Sequence, residues 1–220
     1  MKLLGLLLLL PALASAETVF DGYGAYYATL PGQLFNSKGI NLHPYSVRGD
    51  KGIRLAWSGT AGGRHHTLEI RNGVLAIDGL VLKPSTVTTF PDEVVNDGDL
   101  GIGTTAYFAP GWACVENTPM SASGTAVRHK AVYLMRLANP KPQAWKLPSL
   151  FQACEGIRQQ ANRIVFDKIE YRYRAEEDNP VGISLKEYII RGKTFIPSGN
   201  SRSATFVESG NVYRFVIDPR

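Results

Sequence analysis

Short stretches in which apolar and polar side chains alternate, each closed by Gly, Asn, Asp or Pro, recur along the chain. A period of two is the pattern of antiparallel strands that bury one face. The clearest pair is Thr67-Leu68-Glu69-Ile70 with Val74-Leu75-Ala76-Ile77 around Asn72-Gly73, because Asn-Gly supplies the positive φ angles of a tight hairpin turn. Asp78-Gly79 marks a further turn. The stretch 169–174 alternates strictly, and it is followed by 185–190 with 193–196 around Arg191-Gly192, and by 204–208 with 212–217 around Ser209-Gly210-Asn211. These are expected to form two consecutive hairpins. β-branched and aromatic residues predict further strands at 24–30, 52–57, 104–115 and 126–137. Leu150, Phe151, Cys154 and Ile157 fall on one helical face behind Ser149, which stands in capping-box spacing with Gln152, so one short helix is predicted near 149–158. The predicted fold is therefore mainly β, with antiparallel sheets built from hairpins and arranged as a sandwich or barrel. The turn glycines at 73, 192 and 210 share no common spacing, which argues against a propeller or solenoid.

The first 16 residues depart from that pattern. Lys2, a leucine-rich run broken by Pro11, and the small residues Ala12-Leu13-Ala14-Ser15-Ala16 follow the order of a secretory signal, with cleavage expected after Ala16. The apolar run falls short of the roughly 18 residues needed to span a bilayer, and no cysteine near the expected cleavage point offers a lipid anchor. The expected location is periplasmic or secreted, without membrane insertion. The lack of an Asn-x-Ser/Thr sequon leans toward a bacterial source. Removing 16 of 220 residues leaves 204, ample for a single β-rich domain over 17–220 with its own core. Prolines at 140, 142 and 148 raise the alternative of two lobes split near 139–148.

Charge and cysteine content sharpen the picture. Removing Lys2 from the 24 Lys and Arg leaves 23 against 19 acidic side chains. The basic and acidic residues interleave, as in Asp167, Lys168, Glu170, Arg172 and Arg174, which speaks against a nucleic-acid-binding stripe. Cys114 and Cys154 are the only cysteines, and in an exported chain they are expected to form one structural disulfide.

The candidate binding residues fall in two clusters. Ser58-Gly59-Thr60-Ala61-Gly62-Gly63 leads into Arg64, His65 and His66. A glycine-rich loop with an arginine can receive an anion, although the spacing is not that of a P-loop and adjacent strand histidines point to opposite faces. The second cluster is the acidic tip Glu176, Glu177 and Asp178 between two strands, suited to a basic partner. Pro91-Asp92-Glu93 and Asn96-Asp97-Gly98-Asp99 carry oxygen ligands but fail the EF-hand order and read as turns rather than a calcium site. Neither a Gly-x-Ser-x-Gly elbow nor a His-Glu-x-x-His motif is present, and Ser121-Ala122-Ser123-Gly124 reads as a small-residue turn. Aromatics including Tyr23, Tyr26, Tyr27, Trp57, Trp112 and Trp145 are expected mainly in the core, with a sugar- or peptide-contacting surface as the alternative.

These features lead to an exported non-catalytic binding protein that presents loops to a protein or glycan partner of the cell envelope, of the inhibitor or immunity-factor kind, with no cofactor or metal. The alternative is a secreted or periplasmic hydrolase using dispersed Asp, Glu and His residues. A structural subunit of an envelope assembly is a third possibility.

Overall fold

The computed structural model describes residues 18–45, 54–61, 63–118, 122–137 and 143–219. The expected signal segment, Gly62, Ser121 and the prolines at 140 and 142 lie outside the described residues. The chain enters through β1 (Val19–Asp21), helix α1 (Tyr23–Ala28) and β2 (Ile40–Asn41). A run of five strands follows: β3 (His43–Tyr45), β4 (Arg54–Ala61), β5 (Arg64–Arg71), β6 (Val74–Ile77) and β7 (Leu80–Val81). Next come β8 (Val87–Thr89), β9 (Thr105–Ala109), β10 (Trp112–Asn117), β11 (Ala131–Arg136) and β12 (Gln143–Lys146). The last run is β13 (Arg158–Gln160), β14 (Arg163–Arg172), β15 (Gly182–Arg191), β16 (Thr194–Phe206) and β17 (Arg214–Ile217).

The fold is mainly β, as the alternation predicts. Its strands form three sheets in the orders β3-β4-β5-β6-β7, β2-β9-β10-β11-β12-β8 and β1-β17-β16-β15-β14-β13, and one of them curls into a half-barrel. Pairing is mostly antiparallel, while β12 and β8 pair in parallel. The sheet holding β9 to β12 is the middle layer. Leu55, Leu68, Ile70, Leu75 and Ile77 of the β3–β7 sheet pack against its Ala106, Phe108, Ala113, Val115 and Met135. Its Tyr107, Cys114, Val132, Leu134 and Trp145 meet Ile164 and Phe166 of β14 on the opposite side. A sheet covered on both faces needs no polar alternation, and 106–109, 113–117 and 131–135 are buried without a break. By contrast, β5 alternates buried Leu68 and Ile70 with a wet face.

The hairpin of β5 and β6 turns at Asn72 (φ 50°) and Gly73 (φ 77°), the left-handed pair expected of Asn-Gly. A Cβ on Gly73 would sit 1.9 Å from the Asp97 carbonyl oxygen. Gly73→Ala therefore combines an unfavourable φ with a backbone collision, and a loss of about 1–3 kcal/mol is expected by urea denaturation. The two predicted C-terminal hairpins are also present, but they share one long strand: β16 pairs with β15 through 194–205 and with β17 through 204–206.

Several elements differ from expectation. Residues 24–30 lie largely in α1 rather than in a strand, because Tyr23, Tyr26, Tyr27 and Leu30 are buried at helical spacing while Gly24 and Ala25 face solvent. The expected strand 104–115 is a hairpin, broken at Gly111 (φ 76°) between β9 and β10. In the expected strand 126–137, the first residues belong to a 3-10 turn, Gly124–Arg128, and only Ala131–Arg136 is strand. Residues 143–146 of the proline-rich stretch are strand β12, paired on both sides with β11 and β8.

The helix expected near 149–158 reduces to one 3-10 turn, Cys154–Gly156. Two of its backbone donors are occupied by side chains: Ala153 N–H donates to the Gln152 amide oxygen at 3.2 Å and Cys154 N–H to Glu116 Oε2 at 2.7 Å. Phe151 takes a left-handed φ of 52°, and Gly156 lies so close to Tyr27 that a Cβ would come within 2.9 Å of its ring. Cys114 and Cys154 form the expected disulfide, with Cα atoms 5.8 Å apart, and it ties this segment to β10. A disulfide of this kind fits an oxidising compartment. No described helix is long and apolar enough to cross a membrane.

Candidate functional site

The first predicted cluster lies at the β4–β5 hairpin. Residues 58–61 belong to β4, paired in register from Ser58 opposite Thr67 to Ala61 opposite Arg64, so this part of the glycine-rich segment is committed to a ladder. Arg64 and His65 are exposed, and His65 Nε2 lies 3.1 Å from Ser58 Oγ. His66 turns inward, is 5% exposed, bonds Asp78 Oδ2 through Nδ1 at 2.8 Å and stacks on Phe108 with centroids 4.9 Å apart. Trp57 covers another part of Phe108 at 5.1 Å. Its indole leaves no room for a side chain at residue 59, where a Cβ would stand 2.7 Å from the ring. Among the described residues no carboxylate is bonded to His65, so the Ser58–His65 contact lacks the third group that orients a nucleophile–base pair. In the acidic segment Asp97 stays exposed while Asp99 is drawn inward: its Oδ2 accepts from Lys146 Nζ at 2.7 Å, from the Tyr133 hydroxyl and from Asn96 N–H at 3.1 Å.

The second cluster contributes to a hollow. Glu176 and Glu177 stand exposed in the turn between β14 and β15, Glu176 at a left-handed φ of 67° and Glu177 3.6 Å from Arg174. Asp178, with Asn179 and Pro180, forms one wall of a cavity of about 390 Å³. Arg128 and His129 at the end of the 3-10 turn, Tyr171 and Tyr173 of and beyond β14, and Val212 before β17 complete it. Four separated stretches therefore meet there.

Local bonding fixes the basic side of this hollow. Arg128 Nη1 donates to the Tyr171 hydroxyl at 2.9 Å, its guanidinium lies 5.9 Å from the Tyr171 ring centroid, and its carbonyl accepts the Phe151 N–H at 2.7 Å. His129 Nδ1 and Ser149 Oγ are 3.0 Å apart. Burial raises the Tyr171 phenol above its ordinary pKa, against the lowering pull of Arg128, so it stays a neutral hydroxyl at physiological pH. Tyr173 stands 57% exposed beside it, ring centroids 6.2 Å apart. Tyr213, 43% exposed, packs edge-on against Phe151 at 5.6 Å. The hollow therefore sets an anchored guanidinium and imidazole against an acidic wall, with aromatic rings at its margin. Arg128, His129, Tyr171 and Tyr173 carry no sequence motif that groups them; that they share a cavity with Asp178 is visible only in three dimensions.

The Glu176–Asp178 hollow and the Arg64–His66 strand stand on different sheets, and no hydrogen bond or ion pair joins them among the described residues.

A separate charge cluster is buried beneath α1. Asp167 on β14 and Glu187 on β15 are direct cross-strand neighbours. Arg158 reaches Asp167 at 2.9 Å and Glu187 at 3.2 Å, and Arg202 reaches the second Asp167 oxygen at 2.8 Å while lying 5.3 Å from the Tyr26 ring centroid. Opposite Glu187 the β15–β16 register shifts, and the bulged residue Asn200 donates to Glu187 Oε1 at 2.9 Å. Burial pushes the Asp167 carboxyl up against the pull of both arginines. Burial acts the same way on Glu187, but hydrogen bonds from Asn200 and Ser198 and the two guanidinium charges outweigh it and hold that carboxyl below its ordinary range. Carboxylates driven apart in this way are one mark of acid–base sites. Here Asp167 is 2% and Glu187 7% exposed and each is held by arginine, so the cluster braces the sheet. Comparison with family models, curated proteins and solved structures finds no match to this chain.

Proposed function

We propose that this protein is an exported, non-catalytic binding protein of the cell envelope or periplasm that docks a protein partner on the hollow between Arg128 and the 174–180 turn. The observation that carries this reading is exposed Tyr173 at the margin of a cavity whose base holds Arg128, already oriented by Tyr171. Tyrosine and arginine dominate the energetic centres of protein interfaces, and an arginine fixed in advance loses little freedom on docking. Glu176, Glu177 and Asp178 give the rim its negative charge, so the docking segment carries basic side chains that meet them and an acceptor that meets Arg128. The disulfide and the signal-like leader support the compartment.

The test is capture from cell-envelope extracts with the oxidised protein beginning at Glu17 as bait, run beside Tyr173→Ala. The reading expects a stoichiometric protein retained by the wild type and weakened about tenfold or more by Tyr173→Ala, with unchanged thermal stability because the residue is exposed. A partner retained equally by both baits, or none retained while a control interaction is recovered, contradicts it.

A further inference from the structure

We infer that a second hollow, built on Trp112 and Arg136, binds an acidic saccharide. It lies where three turns converge at the common edge of the middle sheet and the β14–β15–β16 sheet, and it encloses about 320 Å³. That volume is at the lower end of small-ligand sites. Its floor is apolar, with Trp145, Ile164 and Ile190. Trp145 cannot swing, since its indole N–H donates to the Gly192 carbonyl at 2.9 Å. Trp112 is half-buried, tilted 32° to Trp145 with centroids 6.1 Å apart. The rim holds three carboxamides, Gln143, Gln159 and Asn162, and one charge, Arg136.

Each part selects for the same ligand. An indole face covers the C–H face of a pyranose ring, and a carboxamide offers a donor and an acceptor together, which suits neighbouring hydroxyls that are themselves both. Arg136 sits directly across the ladder from Trp112 with its guanidinium 5.9 Å from the indole centroid, and no carboxylate pairs with it among the described residues. Among the described residues no acidic side chain lines the hollow, so an anionic substituent on the sugar meets a guanidinium that no carboxylate holds. A single-stranded nucleic acid would also stack on an indole, but a phosphate-tracking groove needs a row of basic groups, and the described lining has one. The site is distinct from the Tyr173 hollow, so either assignment stands or falls alone.

The probe is a tetrasaccharide containing glucuronic acid, with its carboxyl-reduced counterpart and a single-stranded oligonucleotide as comparisons. The readout is the indole N–H resonance of Trp112, identified with Trp112→Phe, followed during titration of the full protein. The inference expects a saturable shift with the acidic sugar, at least about tenfold weaker binding of the reduced sugar, and a similar loss on Arg136→Gln, while Trp57 and Glu177 variants bind as the wild type does. Arg136 is exposed, so the variant is expected to fold, which its melting temperature checks. No saturable shift at millimolar sugar, equal binding of the reduced form, or a preference for the oligonucleotide overturns it.

Discussion

Replacing Asp167 with alanine is expected to destabilise the folded protein by about 3–5 kcal/mol, the loss typical of removing one member of a buried ion pair. Asp167 is 2% exposed and its two oxygens hold Arg158 and Arg202 separately, at 2.9 and 2.8 Å. Without it, Arg158 keeps its ion pair to Glu187, while Arg202 loses its ion pair and is left beside the Tyr26 ring. The cost arises from the guanidinium groups left without partners more than from the attraction removed. For a chain of this size it corresponds to a fall in melting temperature of about 6–20 °C. Glu177→Ala, which removes an exposed carboxylate 3.6 Å from exposed Arg174, is the matched control and should stay within about 0.5 kcal/mol of the wild type. Calorimetry of both variants checks the pair, and equal melting temperatures would show that the cluster bears no load.

Removing both cysteines is expected to cost about 4 kcal/mol, because the bridge closes a loop between residues 40 apart in the sequence. The double variant Cys114→Ala with Cys154→Ala should show this as a lower urea midpoint, and the wild type with reductant should match it only once it has unfolded. Both sulfurs are fully buried, so reductant reaches them through opening of the fold. The bridge has a second attachment beside it, since Glu116 accepts the Cys154 N–H and pairs with Lys130 at 2.9 Å. The segment should therefore keep its place in the variant even as global stability falls.

The parts of the fold legible in the sequence are those set by local chemistry. Asn72-Gly73 encodes its own turn, and 169–174 alternates because Ile169 and Tyr171 pack into the cluster of Tyr23, Tyr26 and Tyr27 while Glu170 and Arg172, on the other side of β14, form surface ion pairs with Lys168, Lys186 and Asp218. The cysteine pairing followed from a count of two in an exported chain. Other parts were obscured by long-range packing. The middle sheet has no alternation to detect, because both of its faces are covered. The 149–158 segment has helical spacing, yet two of its donors are claimed by Glu116 and Gln152, the Phe151 N–H by the Arg128 carbonyl, and its path by the disulfide. The spacing of Tyr23, Tyr26, Tyr27 and Leu30 was a readable helical signal that aromatic β-propensity masked. The candidate sites were harder still. Of the residues singled out, Asp178 lines a cavity, whereas His66 is a stacked core group and Arg64 ends a hairpin. Tyr171 and Tyr173 lie 5 and 3 residues before Glu176, but Arg128 lies 48 residues before it and no motif links them, so only folding brings the arginine to the tyrosines.

Hydrogen–deuterium exchange of the free protein and of its complex with the captured partner tests the docking surface most directly. Slowed exchange confined to 125–129, 171–180 and 210–212 is the predicted result. Slowed exchange at the β4–β5 hairpin around Arg64, with the Arg128 and Tyr173 segments unchanged, would contradict it.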